Sequence, residues 1–381
     1  MKKVIAFIFT AGFMAEFAAF AACSQTELQA PELPAPTNIH FEQEDLITWD
    51  KVEGAGFYIV ETYGSQQEVD SNYFTFEPPE ENTTIKIMAV SNNLSHSDSE
   101  WAEYLYEAPT PALKYTLTDD GSGYEVSSQD DSTCEGLEGR VVIPDFFNDM
   151  LVVGIANNAF RLDYSGNSLN EDAGLGINNV TTSFRLPSHL KSIGSGAFSY
   201  CIALEEIVIP PSVEYIGSGA FSTCLNLKKI TLPPNITELY NTFINCESLT
   251  EISIPSSVQT LSTSAFSYCY SLRSVTIPQG LKYIGRRVFF YCCRLKNVII
   301  SNSVEEIRLS AFSECYRLKN VFYCGTEEQF NQIAYPGLSS EINSIAYYNA
   351  ATKYFYSEEQ PTEEGNFWHY AEDGKTPLIW D

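Results

Sequence analysis

Residues Pro211 to Leu227 read Pro-Ser-Val-Glu-Tyr-Ile-Gly-Ser-Gly-Ala-Phe-Ser-Thr-Cys-Leu-Asn-Leu, and the same order of residue types returns along the chain. Cys201, Cys224, Cys246, Cys269, Cys292 and Cys315 are spaced by 23, 22, 23, 23 and 23 residues. Three residues before each stands Phe198, Phe221, Phe243, Phe266, Phe289 or Phe312. Three residues after each stands Leu204, Leu227, Leu249, Leu272, Leu295 or Leu318. A short apolar strand then runs into Pro, as in Ile207-Val208-Ile209-Pro210 and Val275-Thr276-Ile277-Pro278. Self-similarity at a fixed period of this length marks stacked units. One coil of about 23 residues cannot bury its apolar edge alone, but neighbours about 4.8 Å apart can. The Phe, Leu and Ile-x-Ile positions then form continuous buried ladders. A mainly β fold follows, with a solenoid over 143–325.

The motif Pro-x-x-Val-x-x-Ile-Gly-x-x-Ala-Phe-x-x-Cys-x-x-Leu, met throughout by Pro210 to Leu227, resembles the BspA-like branch of the leucine-rich-repeat family. Thr242, Val288 and Ser301 depart from it where Ala, Ala and Pro are expected, and Tyr240 and Leu309 stand near usual Gly positions. The resemblance implies a leucine-rich-repeat solenoid on a bacterial cell surface that adheres to macromolecules of a host or neighbouring cell, or captures glycans. It also implies that the Cys row is a buried ladder bonded to turn backbone, a position where Asn serves equally well. A degenerate coil shows earlier, at Val152 to Phe160. Phe160 to Phe198 spans one period plus about 15 residues, so 163–178 is expected to be an inserted loop. Solenoid ends need covering to protect open strand edges. The expected caps are 114–142 and 326–381, the latter opening with a capping box from Thr326 to Gln329.

Before the repeats, Thr37 to Tyr106 alternates with period two between turn residues, giving six or seven short strands and therefore a β-sandwich over 37–108. Trp49, the Gly54-x-Gly56 before Phe57-Tyr58-Ile59-Val60, and Ile85-x-Ile87 resemble a fibronectin type III module. Thr83 stands where that family carries its corner tyrosine. Residues 34–108 hold 15 acidic and 2 basic side chains, which suits a solubilising spacer. At the start of the chain, Lys2 and Lys3 precede the apolar run Val4 to Phe13, and the stretch ends in Phe20-Ala21-Ala22-Cys23. This resembles the lipobox of bacterial lipoproteins, and implies a signal peptide over 1–22, lipidation at Cys23 and a tether over 23–36. Ala19-Phe20-Ala21 also suits an ordinary signal peptide cut.

A net charge of −27 repels phosphate backbones, so nucleic acid is not an expected partner, and membrane contact is expected only through the lipid anchor. His40, His96, His189 and His369 are the only histidines, and no H-E-x-x-H, P-loop, G-x-S-x-G or dinucleotide fingerprint occurs. No catalytic residue, metal or cofactor is expected. Residues 273–320 reverse the overall charge, with nine basic and three acidic side chains. In register, Arg273, Lys296 and Lys319 form one column, Arg294 and Arg317 a second, and Tyr268, Tyr270, Tyr291 and Tyr316 flank the Cys row. Arg and Tyr are enriched at interface hot spots, which makes these nine the candidate partner-binding residues. The outward strand positions Val208, Thr231, Ser253, Thr276, Ile299 and Phe322 give a second candidate surface. The expected function is non-catalytic surface binding or adhesion, with a protein or glycan ligand on the solenoid. A structural spacer of the envelope is the alternative, and a polysaccharide-degrading enzyme the third reading. Replacing Cys23 with Ala should move the protein from membrane to soluble fractions; unchanged fractionation would refute lipidation.

Overall fold

The computed structural model describes residues 30–78, 80–92, 96–129, 136–161, 178–336, 348, 350–362 and 364–380. Segment 1–22, Cys23, Cys134 and the stretch 163–177 lie outside these. Two rows of short parallel strands, one pair to a coil in most coils, carry the solenoid. The first row holds Gly139–Val142, Thr181–Arg185, Glu206–Val208, Lys229–Thr231, Ser274–Ile277, Asn297–Ser301 and Asn320–Cys324. The second holds Met150–Ile155, Ser192–Ile193, Tyr215–Ile216, Glu238–Leu239, Thr260–Leu261, Tyr283–Ile284 and Glu306–Ile307. Pairing follows the period residue for residue: Val275 faces Val298, which faces Val321.

The interior is a set of columns. Phe160, Phe198, Phe221, Phe243, Phe266, Phe289 and Phe312 are fully buried, with neighbouring centroids 5.5, 5.2, 5.6, 5.4, 5.5 and 5.2 Å apart. Their planes are within 16° of parallel, the spacing that offset stacking favours. Tyr348 closes the stack 5.0 Å beyond Phe312. Beside it the Cys thiols, all fully buried, donate to the Phe carbonyl of the preceding coil. The bonds run from Cys224 Sγ to Phe198 O (3.1 Å), Cys246 to Phe221 (3.2 Å), Cys269 to Phe243 (3.3 Å), Cys292 to Phe266 (3.2 Å) and Cys315 to Phe289 (3.1 Å). Burial pushes the Cys246 thiol up to about 12, so it stays protonated and able to donate. The thiol ladder has the form that the resemblance implied. Thr242 and Val288, the two departures from Ala, are also fully buried, and their carbonyls accept from Phe221 N (3.0 Å) and Phe266 N (2.9 Å).

Each turn needs two left-handed residues. Asn158, Gly196, Gly219, Asn241, Ser264, Arg287 and Ser310, two before each Phe, have φ between 52° and 64°. Tyr200, Thr223, Asn245, Tyr268, Tyr291 and Glu314, one before each Cys, have φ of 60–63°. This conformation costs an L-residue about 1–2 kcal/mol. Bonds to the next coil, such as Tyr268 N to Phe290 O (2.7 Å) and Asn245 N to Ser267 O (2.7 Å), hold it in place. Gly217 has a different reason: a Cβ there would lie 2.4 Å from Ser195 N, so side chains are excluded by the coil behind.

Two expectations about the start of the solenoid change. Asn178, placed at the end of the inserted loop, is fully buried and bridges Cys201 one period later. It holds the Cys position of its own coil, and Ile202 N donates to its carbonyl (3.0 Å). Segment 139–142, assigned to the N-terminal cap, pairs in parallel with Thr181–Arg185 and forms the first rung, with a bulge at Gly139 and Arg140. The strands beyond it are an antiparallel hairpin, Leu113–Leu117 with Tyr124–Ser128, whose second strand joins Met150–Ile155 in parallel. At the other end the capping box forms as read, and the helix it opens runs Glu327–Phe330. Thr352–Tyr356 and Phe367–Tyr370 extend the first row in parallel, and Pro377–Ile379 closes it antiparallel.

The N-terminal residues form two antiparallel sheets on a separate core. His40–Phe41, Leu46–Thr48 and Tyr73–Thr75 make one; Ser65–Val69, Ala55–Thr62, Thr83–Ser91 and Ala102–Tyr106 make the other. Ile47, Trp49, Tyr58, Val60, Ile85, Ile87 and Ala89 are buried between them. The strand Ser65–Val69 escapes the alternation rule because its first four residues are polar and exposed, and only Val69 packs on the core. A tight turn at Tyr63 and Gly64, both at positive φ, returns it onto Ala55–Thr62. With Thr83 at the corner, a different tyrosine ties backbone down: Tyr58 OH accepts from Val52 N at 2.8 Å.

Truncating Phe243 to Ala should cost about 3–5 kcal/mol in urea unfolding, because the ring's neighbours on both sides cannot close the gap. Cys246→Ala should cost about 1 kcal/mol and Cys246→Ser less, since the hydroxyl can still donate to Phe221 O. Equal stability of Phe243→Ala and wild type would contradict the column account.

Candidate functional site

The left-handed residue before each Cys throws its side chain off the turn, and in three successive coils this side chain or its neighbour is aromatic. Tyr268 stacks on Tyr291 with centroids 5.5 Å apart and planes 20° from parallel. Tyr270 meets Tyr268 edge-on at 6.1 Å, and Tyr316 meets Tyr291 edge-on at 6.3 Å. The structure adds two residues that the sequence reading left out. Phe290 packs edge-on against Tyr268 (5.5 Å) and Tyr291 (4.8 Å), and the Arg287 guanidinium lies 5.2 Å over the Phe290 ring. The doublet Phe289-Phe290 was the available signal: one ring fills the column, so the other must face outward. A hydrogen bond from Tyr316 to Glu314, then burial and the negative charge of Glu314, hold the Tyr316 phenol well above its usual range.

The cations stand next to these rings. Lys296 N donates to Arg273 O (2.8 Å) and Lys319 N to Lys296 O (3.0 Å), so the three form one column, one strand spacing apart. Arg294 and Arg317 form the second column, and all five side chains are exposed. Among the described residues none of the five makes an ion pair. Elsewhere the solenoid does place opposite charges one coil apart: Lys191 with Glu214 (3.4 Å), Lys228 with Glu205 (2.9 Å) and Lys282 with Glu305 (3.0 Å). Arg308 pairs with Glu306. Glu205 and Lys228 belong to the same column as Arg273, so the column changes from paired to like-charged along its length. Two unit charges at such spacing repel by about 1 kcal/mol even in water. Internal neutralisation therefore does not account for this end of the column.

The second candidate surface is divided. Val208 is 68% exposed, whereas Ile299 and Phe322 are 6% and 3% exposed beneath Trp368, Tyr354 and Tyr370 of the C-terminal strands. Between these ends, Thr231, Ser253 and Thr276 floor a groove of about 770 Å³, walled on one side by Tyr370 and Lys375. Among the described residues no group of three or more His, Cys, Asp or Glu side chains is placed to hold a metal ion.

A charged joint fixes the sandwich on the solenoid. Arg140 grips Glu107 with two bonds, Nε to Oε1 (2.7 Å) and Nη2 to Oε2 (3.0 Å), and Arg185 reaches the same carboxylate at 3.7 Å. Arg185 Nη2 donates to Asp145 Oδ2 (2.9 Å), while Ser188 N and Oγ donate to Asp145 Oδ1 (2.6 and 2.7 Å). Burial alone pushes Asp145 up, but the bonds from Ser188 and Arg185 outweigh it and hold the carboxyl below its usual range.

Two overlapping stretches, residues 177–289 and 240–358, match the family described as BspA type leucine rich repeat region, in six copies. Among solved structures, a leucine-rich repeat protein of T. pallidum is 27% identical over 56% of this chain and 91% of its own, with a TM-score of 0.46. A leucine-rich repeat protein from Bacteroides ovatus is 23% identical over 57% of this chain and 71% of its own, with a TM-score of 0.27. A leucine rich cell surface protein from Faecalibacterium prausnitzii is 18% identical over 59% and 96%, with a TM-score of 0.26. No curated protein sequence matches.

Glu107→Gln should loosen the joint, read as faster protease cleavage between residues 107 and 113 with the solenoid's own melting unchanged. Acid should act in the same direction. Because Asp145 is depressed in the folded state, its stabilising contribution is complete above about pH 4 and fades as the pH falls through its lowered value. Cleavage that is insensitive to both changes would show that the ion pairs do not hold the joint.

Proposed function

We propose that this chain, whose repeat region is of the BspA leucine-rich type, is a non-catalytic binding protein displayed on a bacterial surface, and that its basic, tyrosine-bearing columns dock an anionic macromolecule. The observation that supports this most is the run of five exposed cations without ion-pair partners among the described residues, beside stacked tyrosines, on a fold that elsewhere pairs its charges between coils. A rigid solenoid gives such a ligand a regular array. Successive cations stand one strand apart, which suits acidic groups repeated along a protein segment or an acidic glycan. The rings supply contact area that loses little entropy on binding, and the cations supply attraction and orientation. Display follows from the lipobox-like Cys23; the expected tether is shorter than 23–36, because Leu33 is buried in the sandwich core and Glu32 bridges Ser97. The sandwich, resembling fibronectin type III, acts as an acidic spacer that keeps the basic face clear of other anionic surfaces.

One exposed charge contact contributes only about 0–1 kcal/mol, so a single substitution should barely register. Converting Arg273, Arg294 and Arg317 together to Glu reverses a block of charge. It should weaken retention on acidic glycans or acidic protein segments by well over about tenfold, with melting unchanged. Rising salt should weaken the wild type in parallel. Wild-type affinity in the triple variant at low salt would remove the basic face as the docking surface.

A further inference from the structure

A cleft of about 580 Å³ lies between the sandwich and the start of the solenoid, on the opposite end of the molecule from the basic columns. Phe41, Tyr104 and Tyr106 wall it from the sandwich, where they pack on that core. Tyr115 and Phe147 wall it from the solenoid, where their rings stack with centroids 4.0 Å apart and planes 10° from parallel. Arg185, Asp145 and Glu107 line the space between these walls. The volume is in the range of small-ligand pockets, and domain junctions are a common place for them.

Which chemistry the cleft suits follows from which groups are already satisfied. Arg185 is committed to Asp145 and Ile143 O, and Glu107 is gripped by Arg140, so Glu107, Asp145, Arg140 and Arg185 sum to no net charge. An ion gains little from such a neutralised cluster. Tyr106 and Tyr115 are half-buried, and among the described residues neither hydroxyl has a hydrogen-bond partner. Glu44 stands close enough for its charge to bear on both phenols. Gln43, Gln129 and Lys114 complete the rim, all exposed. The cleft thus offers flat apolar ring surface together with a circle of groups that both donate and accept. A sugar ring has the complementary surface, with C–H faces that pack on aromatic rings and hydroxyls around its edge that donate and accept.

The geometry points to a second binding site here, for a neutral saccharide, with the sugar seated between the two modules and its hydroxyls bonded to Tyr106, Tyr115 and Glu44. The site is independent of the basic face. It gives the acidic sandwich a role in recognition as well as in spacing, because neither module holds the cleft alone.

The test uses the full chain on an array of neutral oligosaccharides, with acidic glycans and a small quaternary ammonium compound as controls. Wild type should retain a neutral oligosaccharide. The double variant Tyr106→Phe/Tyr115→Phe keeps both rings and loses only the hydroxyls, so it should fold and melt as wild type and bind about tenfold or more weakly. Glu44→Gln, in the exposed turn before Leu46–Thr48, should weaken binding in the same direction. The Arg273, Arg294 and Arg317 triple variant should bind the neutral sugar unchanged, which separates this site from the basic face. Retention of no neutral saccharide, retention of the ammonium compound in its place, or neutral-sugar binding that survives loss of both phenol hydroxyls would overturn the proposal.

Discussion

The Phe carbonyl inside each turn is sealed in the solenoid interior, where water cannot reach it, and the thiol of the following coil donates to it. An unsatisfied buried polar group is costly, so this one requirement constrains much of the rest. The residue three after Phe must be a small donor, which Cys satisfies. The residue before it must turn left-handed so that its own N–H reaches the next coil, which explains positive φ even at Thr223 and Tyr291. The backbones are then held at one strand spacing, and the Phe rings stack with centroids between 5.2 and 5.6 Å. Stacking and hydrogen bonding enforce the same repeat distance, so neither is satisfied at the expense of the other.

The same constraint organises the surface. Once the buried column fixes the register, every outward position also becomes a column, and a charge repeated at one sequence spacing becomes a line of charge. Early coils use this to pair Glu205 with Lys228, and later coils to align Arg273, Lys296 and Lys319. The left-handed position before Cys presents Tyr268 and Tyr291 as a stacked pair beside that line. The candidate docking face is therefore a consequence of the buried turn, displayed on a backbone that cannot slip.

Much of the solenoid was readable because its physics is local in sequence: each buried contact recurs 22 or 23 residues later, so Phe, Leu and Cys could be followed as columns. The capping box at Thr326 was readable for the same reason, since its partner lies three residues away. Asn178 was overlooked although it stands 23 residues before Cys201, because the insertion hid the period and Thr181 replaces Leu in its coil. The first rung at Gly139–Val142 was hidden by a one-residue bulge. The tyrosine and arginine columns could be aligned from spacing alone, but Phe290 and Arg287 joined them only through ring packing. The cleft was out of reach altogether. It unites Phe41 with Arg185 by the docking of two cores, and no periodicity encodes a contact made once.

Alkylation of the native protein without reductant, followed by mass spectrometry, tests the buried thiol ladder directly. Cys224, Cys246, Cys269 and Cys292 should react together at one slow rate that rises with denaturant as the solenoid opens as a unit, and each should label fully once unfolded. Rapid labelling of any one of them in the absence of denaturant, or disulfide-linked peptides joining adjacent coils, would contradict the account.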